Sequence, residues 1–339
     1  MSSFLFIGPY SKGSTSIMRV NYIIAALKPN QTKLIDVEVP FFETNRIFRS
    51  MGSRWKIGPL MRAVSNYVRK QINPLEKYEL VWVDKGVYVS PDIIEELRAK
   101  TIFLIHYTPD PAFTFHRSRY FFKAVQYYDF CITTKSFEME AYNKAGAQKM
   151  IYCTQGYDKA IHHPYYSFNE KDKDVTFVGH YETYRGKVVK CLLDAGIQVH
   201  IVGFKWKRFC NKYKAYSNLH FHGDGIFGED YAKFISSSYI SLGLVSKWIP
   251  ELHTTRTMEI PACGTLLVTE LNNETIELFE KDEAVFYEDI DELTQKISSL
   301  LEDKYAIEEY IIKANKRLAI SKYDYESIVF DILTKMGQL

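Results

Sequence analysis

Five polar residues between positions 251 and 259 have the types and the spacing of a site for a nucleoside diphosphate: Glu251, Thr254, Thr255, Arg256 and Glu259. The threonines stand where a helix is predicted to begin, so their hydroxyls and the free amides of the first turn would face an anion. Arg256 would add positive charge, and Glu259, about one turn further on, could accept hydrogen bonds from both hydroxyls of a ribose. A capped helix with two solvent-exposed glutamates is the alternative interpretation.

The helix that would hold these residues contains Pro261, which has no backbone N–H to donate. We therefore expect a kink there, or a helix that begins late enough for Pro261 to lie in its first turn. The small residues Ala262, Cys263 and Gly264 follow, so the helix can end close against the next apolar strand.

Strands and helices alternate along the chain in two successive groups. The first half predicts strands at 4–7, 34–39, 80–83, 101–106 and 129–133, with helices at 17–27 and 91–99. The second half predicts strands at 175–178, 199–202, 219–222, 239–245, 265–268 and 285–287, with helices at 187–196, 231–236, 291–301 and through most of 304–339. This alternation predicts an α/β fold with two parallel sheets and helices on both faces of each. We expect one domain over residues 1–163, a second over 164–322, and a terminal helix over 323–339 that crosses back to the first.

In open parallel sheets, ligands bind outside the carboxyl ends of the strands, which directs attention to the loops that follow them. After the first strand, Gly13 and Ser14 could present amides to an anion, although the loop lacks both GxGxxG and the phosphate-loop pattern; a plain flexible turn is the alternative. After the fourth, His106 could serve as a general base and Asp110 as a rigidly placed carboxylate. A structural histidine is the alternative for His106.

The second half offers further donor-binding candidates at strand ends: Gly179, Gly203, Phe204 and His222. Arg185 and Lys187 lie where a helix opens after Gly179, so both are placed to neutralise a phosphate. For each side chain taken alone, a solvent-exposed position is the alternative.

The segment HTTRTMEIPACGTLLVTE, followed by LFEKDEAVFYEDIDELTQKISSLLED, resembles the CgeB-like group of glycosyltransferases. Two glutamates separated by seven residues and followed by Ala-Cys-Gly also resemble the donor motif of retaining GT-B glycosyltransferases that use nucleotide sugars. The likeness covers residues 174–325 well and the first half only in general pattern.

This resemblance implies roles for the residues named above. Glu259 matches the ribose-binding glutamate, and Glu251 matches the one beside the donor sugar. Residues 254–256 match the phosphate-binding helix start, and Arg185 and Lys187 match the basic contacts to the diphosphate. His106 or Asp110 takes the place of the residues at the reacting centre. In the first loop, Gly13-Ser14 replaces the glycine pair of the family, so the contact of this loop to the donor departs from the family pattern.

The fold implied is GT-B, in which two Rossmann-like doubly wound domains face each other across a cleft. The implied reaction transfers a sugar from a UDP- or GDP-linked donor to a hydroxyl of a glycan, lipid-linked, protein or nucleic-acid acceptor. We expect no cofactor and no metal, because basic side chains are available for the leaving diphosphate and no DxD pair stands in a suitable loop. A nucleotide-sugar epimerase or hydrolase on the same fold is an alternative.

Residues 45–72 contain seven basic side chains and no acidic one, interleaved with aromatics: Arg46, Arg49, Arg54, Lys56, Arg62, Arg69 and Lys70. Such a segment suits an anionic acceptor, a membrane surface or a nucleic acid, and a protein that only binds one of the last two is another alternative. The five cysteines form no CxxC pair, and neither a signal peptide nor an apolar run long enough to span a membrane is recognisable. We therefore expect a cytoplasmic protein with reduced thiols, peripheral to the inner membrane face if it meets a membrane at all.

Overall fold

The computed structural model describes residues 3–11 and 14–338, which divide into two compact units. The first unit contains the described residues up to Thr154 together with those from Tyr325 onwards, and the second unit is Gln155–Asp324. The boundaries proposed from the sequence were 163/164 and 322/323, whereas the chain passes between the units at 154/155 and 324/325.

The first unit is built on a parallel six-stranded sheet in the order β2-β1-β3-β4-β5-β6. Its strands are β1 Ser3–Gly8, β2 Gln31–Asp36, β3 Tyr78–Asp84, β4 Thr101–Thr108, β5 Phe130–Thr133 and β6 Met150–Tyr152. The helices between them are α1 Thr15–Leu27, α2 Glu38–Glu43, α3 Arg46–Trp55, α4 Pro59–Gln71, α5 Pro91–Arg98, α6 Arg119–Ala124 and α7 Met139–Lys144.

The central strands β1, β3 and β4 carry nearly continuous apolar runs because helices cover both faces of a parallel sheet. β2 differs from its prediction over 34–39, since it begins earlier and the chain from Glu38 onwards forms α2. β2 is the edge strand, and its QTKLID sequence is mostly polar, so alternation and apolarity gave a weak signal there. The predicted elements of this unit also contain no counterpart of α2, α3, α4, α6, α7 or β6.

The second unit has the same architecture, with a parallel sheet in the order β12-β11-β10-β7-β8-β9. Its strands are β7 Lys173–Val178, β8 Val199–Val202, β9 Leu219–Phe221, β10 Ser238–Leu242, β11 Leu266–Glu270 and β12 Val285–Tyr287. The helices are α8 Thr183–Asp194, α9 Lys207–Lys212, α10 Gly228–Ser236, α11 Thr255–Ala262, α12 Asn273–Leu278, α13 Ile290–Glu302 and α14 Lys304–Ser321.

A final helix, α15 Tyr325–Lys335, belongs to the first unit and packs on α1. Ile328, Val329 and Ile332 share a buried cluster with Val20 and Ile23 of α1. No helix in the described part of the chain is long and apolar enough to cross a membrane.

Strand order reverses once in each sheet, between β1 and β3 in the first unit and between β7 and β10 in the second. At such a point the connections leave the sheet in opposite directions, so a crevice opens at the carboxyl ends of the two strands. In the first unit Asp84, at the end of β3, is buried there in an ion pair with Arg19 of α1 at 2.9 Å. In the second unit the corresponding place holds Gly179, Arg185 and residues 254–256, which the sequence predicted to bind a nucleotide.

Candidate functional site

The candidate site lies at the carboxyl ends of β7 and β10. Gly179 follows β7 and leads into α8, while Gly243 and Leu244 follow β10 and lead through an extended loop into α11. Because β7 and β10 are neighbours in the sheet, the start of α8 and the start of α11 are brought to the same edge.

Two arginines from these two helices converge on one backbone carbonyl. The Arg185 Nη2 donates to the carbonyl oxygen of Leu244 at 3.2 Å, and the Arg256 Nη2 donates to the same oxygen at 3.3 Å. The Nε atoms of both arginines are buried and have no hydrogen-bond partner within the described residues. Two guanidinium groups so close together repel each other, and an anion between them would relieve that repulsion.

Arg185 is fixed by its neighbours. It is buried, forms an ion pair with Glu182 at 3.2 Å, and donates to the carbonyl oxygen of His180 at 3.1 Å. Burial lowers the pKa of Arg185 to about 10, and the positive charge of Arg256 contributes in the same direction. The other Glu182 oxygen accepts from the backbone amide of Lys247 at 3.1 Å, so the same carboxylate also anchors the loop after β10.

Helix α11 begins where the threonines predicted it. Thr254 is the N-cap, Thr255 is the first helical residue, and the Thr254 amide donates to the Thr257 hydroxyl at 3.2 Å. The Thr254 side chain lies over the Thr257 amide in a capping box, and its buried hydroxyl donates to no acceptor within the described residues. A third donor at this edge of the sheet is therefore available to a ligand.

One of the two expectations placed Pro261 in the first turn of α11, and the structure does not. Pro261 lies inside the helix, next to the last residue, Ala262. The helix is only eight residues long, so the missing proline N–H costs it one hydrogen bond near its end and does not interrupt its start.

Glu259 is buried within the second unit, with 7% of its surface exposed. Its Oε2 accepts from the Tyr231 hydroxyl at 2.9 Å, and its Oε1 lies 3.8 Å from the His162 Nε2. His162 accepts from the Asp158 amide through Nδ1, so its neutral form carries the proton on Nε2, facing the carboxylate. The carboxylate is thus oriented from two sides and keeps lone pairs for further donors.

Glu251 lies in the loop between β10 and α11, half-buried, and its negative charge acts on Arg185. This loop lines a cavity of about 450 Å³ formed by residues 245–252 with Glu270 and Asn272. Glu251, Arg185 and Arg256 are therefore parts of one charged neighbourhood.

The glycines at strand ends allow the backbones to approach closely. Gly203, after β8, has φ of +154°, and a Cβ built on it would lie 1.9 Å from the carbonyl oxygen of Gly179. The next residue, Phe204, is exposed, and its carbonyl accepts from the Tyr181 amide at 2.9 Å. His222 follows β9, and its Nε2 lies 3.0 Å from the Nδ1 of His200. Since β7 and β8 separate β9 from β10 in the sheet, His222 is distant from the end of β10.

Lys187 does not accompany Arg185. It is exposed and lines a separate cavity of about 1210 Å³ on the outer side of α8, with residues of α9 and the start of α13. Two positions along a helix differ by about 200° in direction, so both side chains cannot face the same phosphate. The pairing expected from the sequence is corrected here: Arg256 is the partner of Arg185.

The predicted strand ended at His106, whereas β4 continues for two residues beyond it, so His106 lies within the strand. The side chain is fully buried among Phe121, Tyr128 and Tyr142, and its Nε2 lies 3.0 Å from the Tyr142 hydroxyl. Burial lowers the pKa of His106 to about 3. These surroundings are those of a core histidine.

Asp110 does lie in the loop after β4, where it forms an ion pair with Lys85 at 2.7 Å. Burial opposes ionisation of Asp110, but the charge of Lys85 outweighs it and holds the pKa of Asp110 well below its usual range. A carboxylate in this state is a weak base near neutral pH.

The loop after β1 contained two further candidates, Gly13 and Ser14. Ser14 is the N-cap of α1, and its side chain accepts from the Ile17 amide at 3.3 Å, whereas Gly13 lies outside the described residues.

Sequence reasoning missed four groups that the structure adds: the carboxylate of Glu182, the carbonyl of Leu244, and the side chains of His162 and Tyr231. Glu182 stands in the loop already singled out after β7, so its position carried a signal. The other three are far from Arg185 or Glu259 in sequence and reach them only through tertiary packing. No group of three or more histidine, cysteine or acidic side chains in the described chain is arranged to hold a metal ion.

A known protein family matches less than half of the chain. Residues 185–334 match the glycosyl transferase-like family. None of the curated proteins compared matches the sequence.

Several solved structures share the fold over the whole chain. Alr3699/HepE from Anabaena, in complex with UDP and glucose, has a TM-score of 0.67 at 15% identity and covers 100% of both chains. The sucrose-phosphate synthase of Thermosynechococcus elongatus has a TM-score of 0.68 at 13% identity, covering 100% of this chain and 99% of that one. A trehalose-6-phosphate synthase, from work on glycosyltransfer with retention, has a TM-score of 0.64 at 11% identity with the same coverage.

The predicted fold class, GT-B with two Rossmann-like domains, is confirmed by these similarities. The matched segment is described as glycosyl transferase-like, which agrees with the prediction of an enzyme of that kind.

Proposed function

We propose that this chain is a retaining glycosyltransferase of the CgeB-like group, which moves a sugar from a nucleotide-diphosphate donor to an acceptor hydroxyl without a bound metal. The observation that carries the proposal is the convergence of Arg185 and Arg256 on the Leu244 carbonyl, with a buried and unpartnered Nε on each arginine. A diphosphate is the ligand that fits two adjacent guanidinium groups at a helix start.

In the proposed reaction, a bond forms between the acceptor oxygen and the anomeric carbon while the bond from that carbon to the diphosphate oxygen breaks. The electron pair of the broken bond stays on the diphosphate, which gains negative charge in the transition state. Arg185, Arg256 and the Thr254 hydroxyl would stabilise that charge in place of a metal ion. Their positions are fixed before the reaction, so little reorganisation is needed.

The acceptor proton needs a destination. His106 is enclosed in a core, and the low pKa of Asp110 makes it a weak base. We therefore propose that the proton passes to the departing diphosphate oxygen on the same face of the sugar, which is compatible with retention of configuration.

The remaining donor contacts follow from the two glutamates of the E-x7-E motif. Glu259, oriented by Tyr231, would accept from the ribose hydroxyls, and Glu251 would lie beside the donor sugar. The HepE structure was solved with UDP and glucose, so UDP-glucose is the first donor to test.

The test is isothermal titration of UDP and GDP into the wild-type chain and into Arg256→Gln. Removing one charge-assisted contact to a phosphate costs about 1.5–3 kcal/mol, so the affinity of the variant for UDP should fall by about 10- to 150-fold. Lys187→Gln is the matched control, because it removes a positive charge from the same region but on the outer side of α8. EDTA should leave UDP affinity unchanged.

An equal loss of affinity in Lys187→Gln and Arg256→Gln would overturn the assignment of the diphosphate site. Turnover separates the epimerase or hydrolase alternative: it would consume the nucleotide sugar with no acceptor present, whereas the proposed transferase requires one.

A further inference from the structure

Helix α3 in the first unit exposes a row of large apolar side chains. Ile47, Phe48, Met51 and Trp55 follow the spacing of one helical face, and we call them the α3 apolar stripe. Ile47 is 75% exposed, Trp55 59% and Phe48 45%, with Met51 half-buried. An apolar helix face usually covers a core, whereas this one is open to solvent.

The stripe is exposed because α3 uses another part of its surface to pack. Gly52 faces α4, and a Cβ built on it would lie 2.5 Å from the Leu60 Cβ. This close approach seats α3 on α4 through the glycine and leaves the stripe beside the contact. Two further exposed apolar residues flank it, Phe42 at the end of α2 and Ile57 between α3 and α4.

Exposed cations lie on α3 itself and on the neighbouring helix α4. Arg46, Arg54, Arg62 and Lys70 are exposed, and none of them pairs with a carboxylate in the part of the chain that the structure describes. Arg69 is excluded from this set because Asp92 and Glu96 neutralise it. Residues 45–72 contain no acidic side chain that could neutralise the others locally.

We propose that the α3 apolar stripe docks this protein on the surface of an anionic lipid bilayer. A helix with exposed large apolar side chains on one face and arginines beside them can lie in the plane of the interface, its apolar face among the acyl chains and its cations near the lipid phosphates. This surface lies in the first unit and is distinct from the nucleotide site proposed in the second.

The chemistry favours a lipid over a nucleic acid. Single-stranded nucleic acids bind to aromatic platforms on which bases stack. Ile47, the most exposed member of the stripe, and Ile57 offer no aromatic face, but they can enter a hydrocarbon layer. The arginines alone suit either partner, so the aliphatic side chains decide between them.

The test is co-sedimentation of the full chain with vesicles of phosphatidylcholine alone and of phosphatidylcholine with phosphatidylglycerol. We expect binding to the anionic vesicles, with affinity falling as salt rises. Ile47→Glu should lower the partition coefficient at least about tenfold, since it removes an inserted side chain and adds a repelled charge. Arg46→Gln combined with Arg54→Gln should lower it by about 25-fold, from roughly fivefold for each cation.

Ile320→Glu is the matched control, because Ile320 on α14 is also an isoleucine that is 75% exposed. It should bind anionic vesicles as the wild type does. Thermal unfolding and UDP titration of every variant check the fold and the proposed nucleotide site separately, so a failure of one proposal is distinguishable from a failure of the other.

Three results would overturn the proposal. One is equal binding by Ile47→Glu and the wild type, and another is equal loss in Ile320→Glu. The third is weak binding to anionic vesicles together with salt-sensitive binding to single-stranded DNA, which would identify the surface as a nucleic-acid site.

Discussion

The proposed ribose contact of Glu259 can be tested by changing both the protein and the ligand. Glu259→Gln keeps the size of the side chain and leaves an amide oxygen for the Tyr231 hydroxyl, which donates to Oε2 at 2.9 Å. It removes the negative charge and replaces one acceptor oxygen with an NH₂ group, which only donates. On the ligand, 2′-deoxy-UDP lacks one of the two hydroxyls that the carboxylate would accept from.

The expected magnitude follows from these contacts. A hydrogen bond to a charged group contributes about 1.5–3 kcal/mol, and the loss of one corresponds to about 10- to 150-fold in affinity. The wild type should therefore prefer UDP over 2′-deoxy-UDP by at least about tenfold. In Glu259→Gln, UDP affinity should fall by a similar factor, and the preference should shrink to below about threefold because the ligand hydroxyl has lost its charged partner.

Calorimetric titration of both nucleotides into both proteins, at one pH and salt concentration, gives the four affinities needed. Tyr231→Phe is the control, since it removes the donor to Oε2 but keeps the carboxylate and its charge. Its preference for UDP over the deoxynucleotide should remain near that of the wild type.

A preference in Glu259→Gln equal to that of the wild type would refute the ribose role, whatever the change in absolute affinity. A loss of affinity shared equally by both nucleotides would indicate that Glu259 acts only on the shape of the second unit.

Three further predictions concern residues in or beside the two sheets. Asp84→Asn leaves its buried guanidinium partner unpaired, so the free energy of unfolding in urea should fall by about 3–5 kcal/mol, against under about 1 kcal/mol for Asp92→Asn in an exposed pair. Gly203→Ala places a Cβ against the carbonyl of Gly179 at positive φ, so it should cost roughly 3 kcal/mol in thermal unfolding. Burial lowers the pKa of His106 from 6.5 to about 3, so the unfolded chain binds a proton that the folded chain excludes between these values. The stability that this histidine contributes is therefore present above about pH 6.5, and below that pH the free energy of unfolding falls by about 1.4 kcal/mol per pH unit. Urea titrations of His106→Asn between about pH 6 and 4 should lack this part of the slope.

Each of the three has a contrary outcome. Similar costs for Asp84→Asn and Asp92→Asn would show that the first pair is not enclosed. An unchanged transition temperature in Gly203→Ala would mean that the β7 and β8 loops move apart freely, and an unchanged pH slope in His106→Asn would place the histidine in water.

The sequence predicted those features that depend on neighbouring residues. The apolar runs at 175–178 and 199–202 predicted β7 and β8, and Ser90-Pro91 predicted the start of α5. The two threonines predicted the start of α11. Other elements were displaced or missed: the polar edge strand β2 was predicted three residues too late, and helices α2, α3 and α4 were not predicted. Strand periodicity and helix capping act over a few residues, so they can be recognised without knowledge of the rest of the chain.

The tertiary structure decided which side chains meet. Arg185 and Lys187 are equivalent candidates in the sequence, but the direction of α8 brings only Arg185 to the Leu244 carbonyl, where Arg256 also arrives. The sequence predicted His106 as a general base at the end of a strand, but β4 extends two residues beyond it and the side chain is buried in the core. The order of strands in a sheet and the rotation of each helix about its axis are fixed by packing between distant segments, and the local patterns of the sequence contain neither.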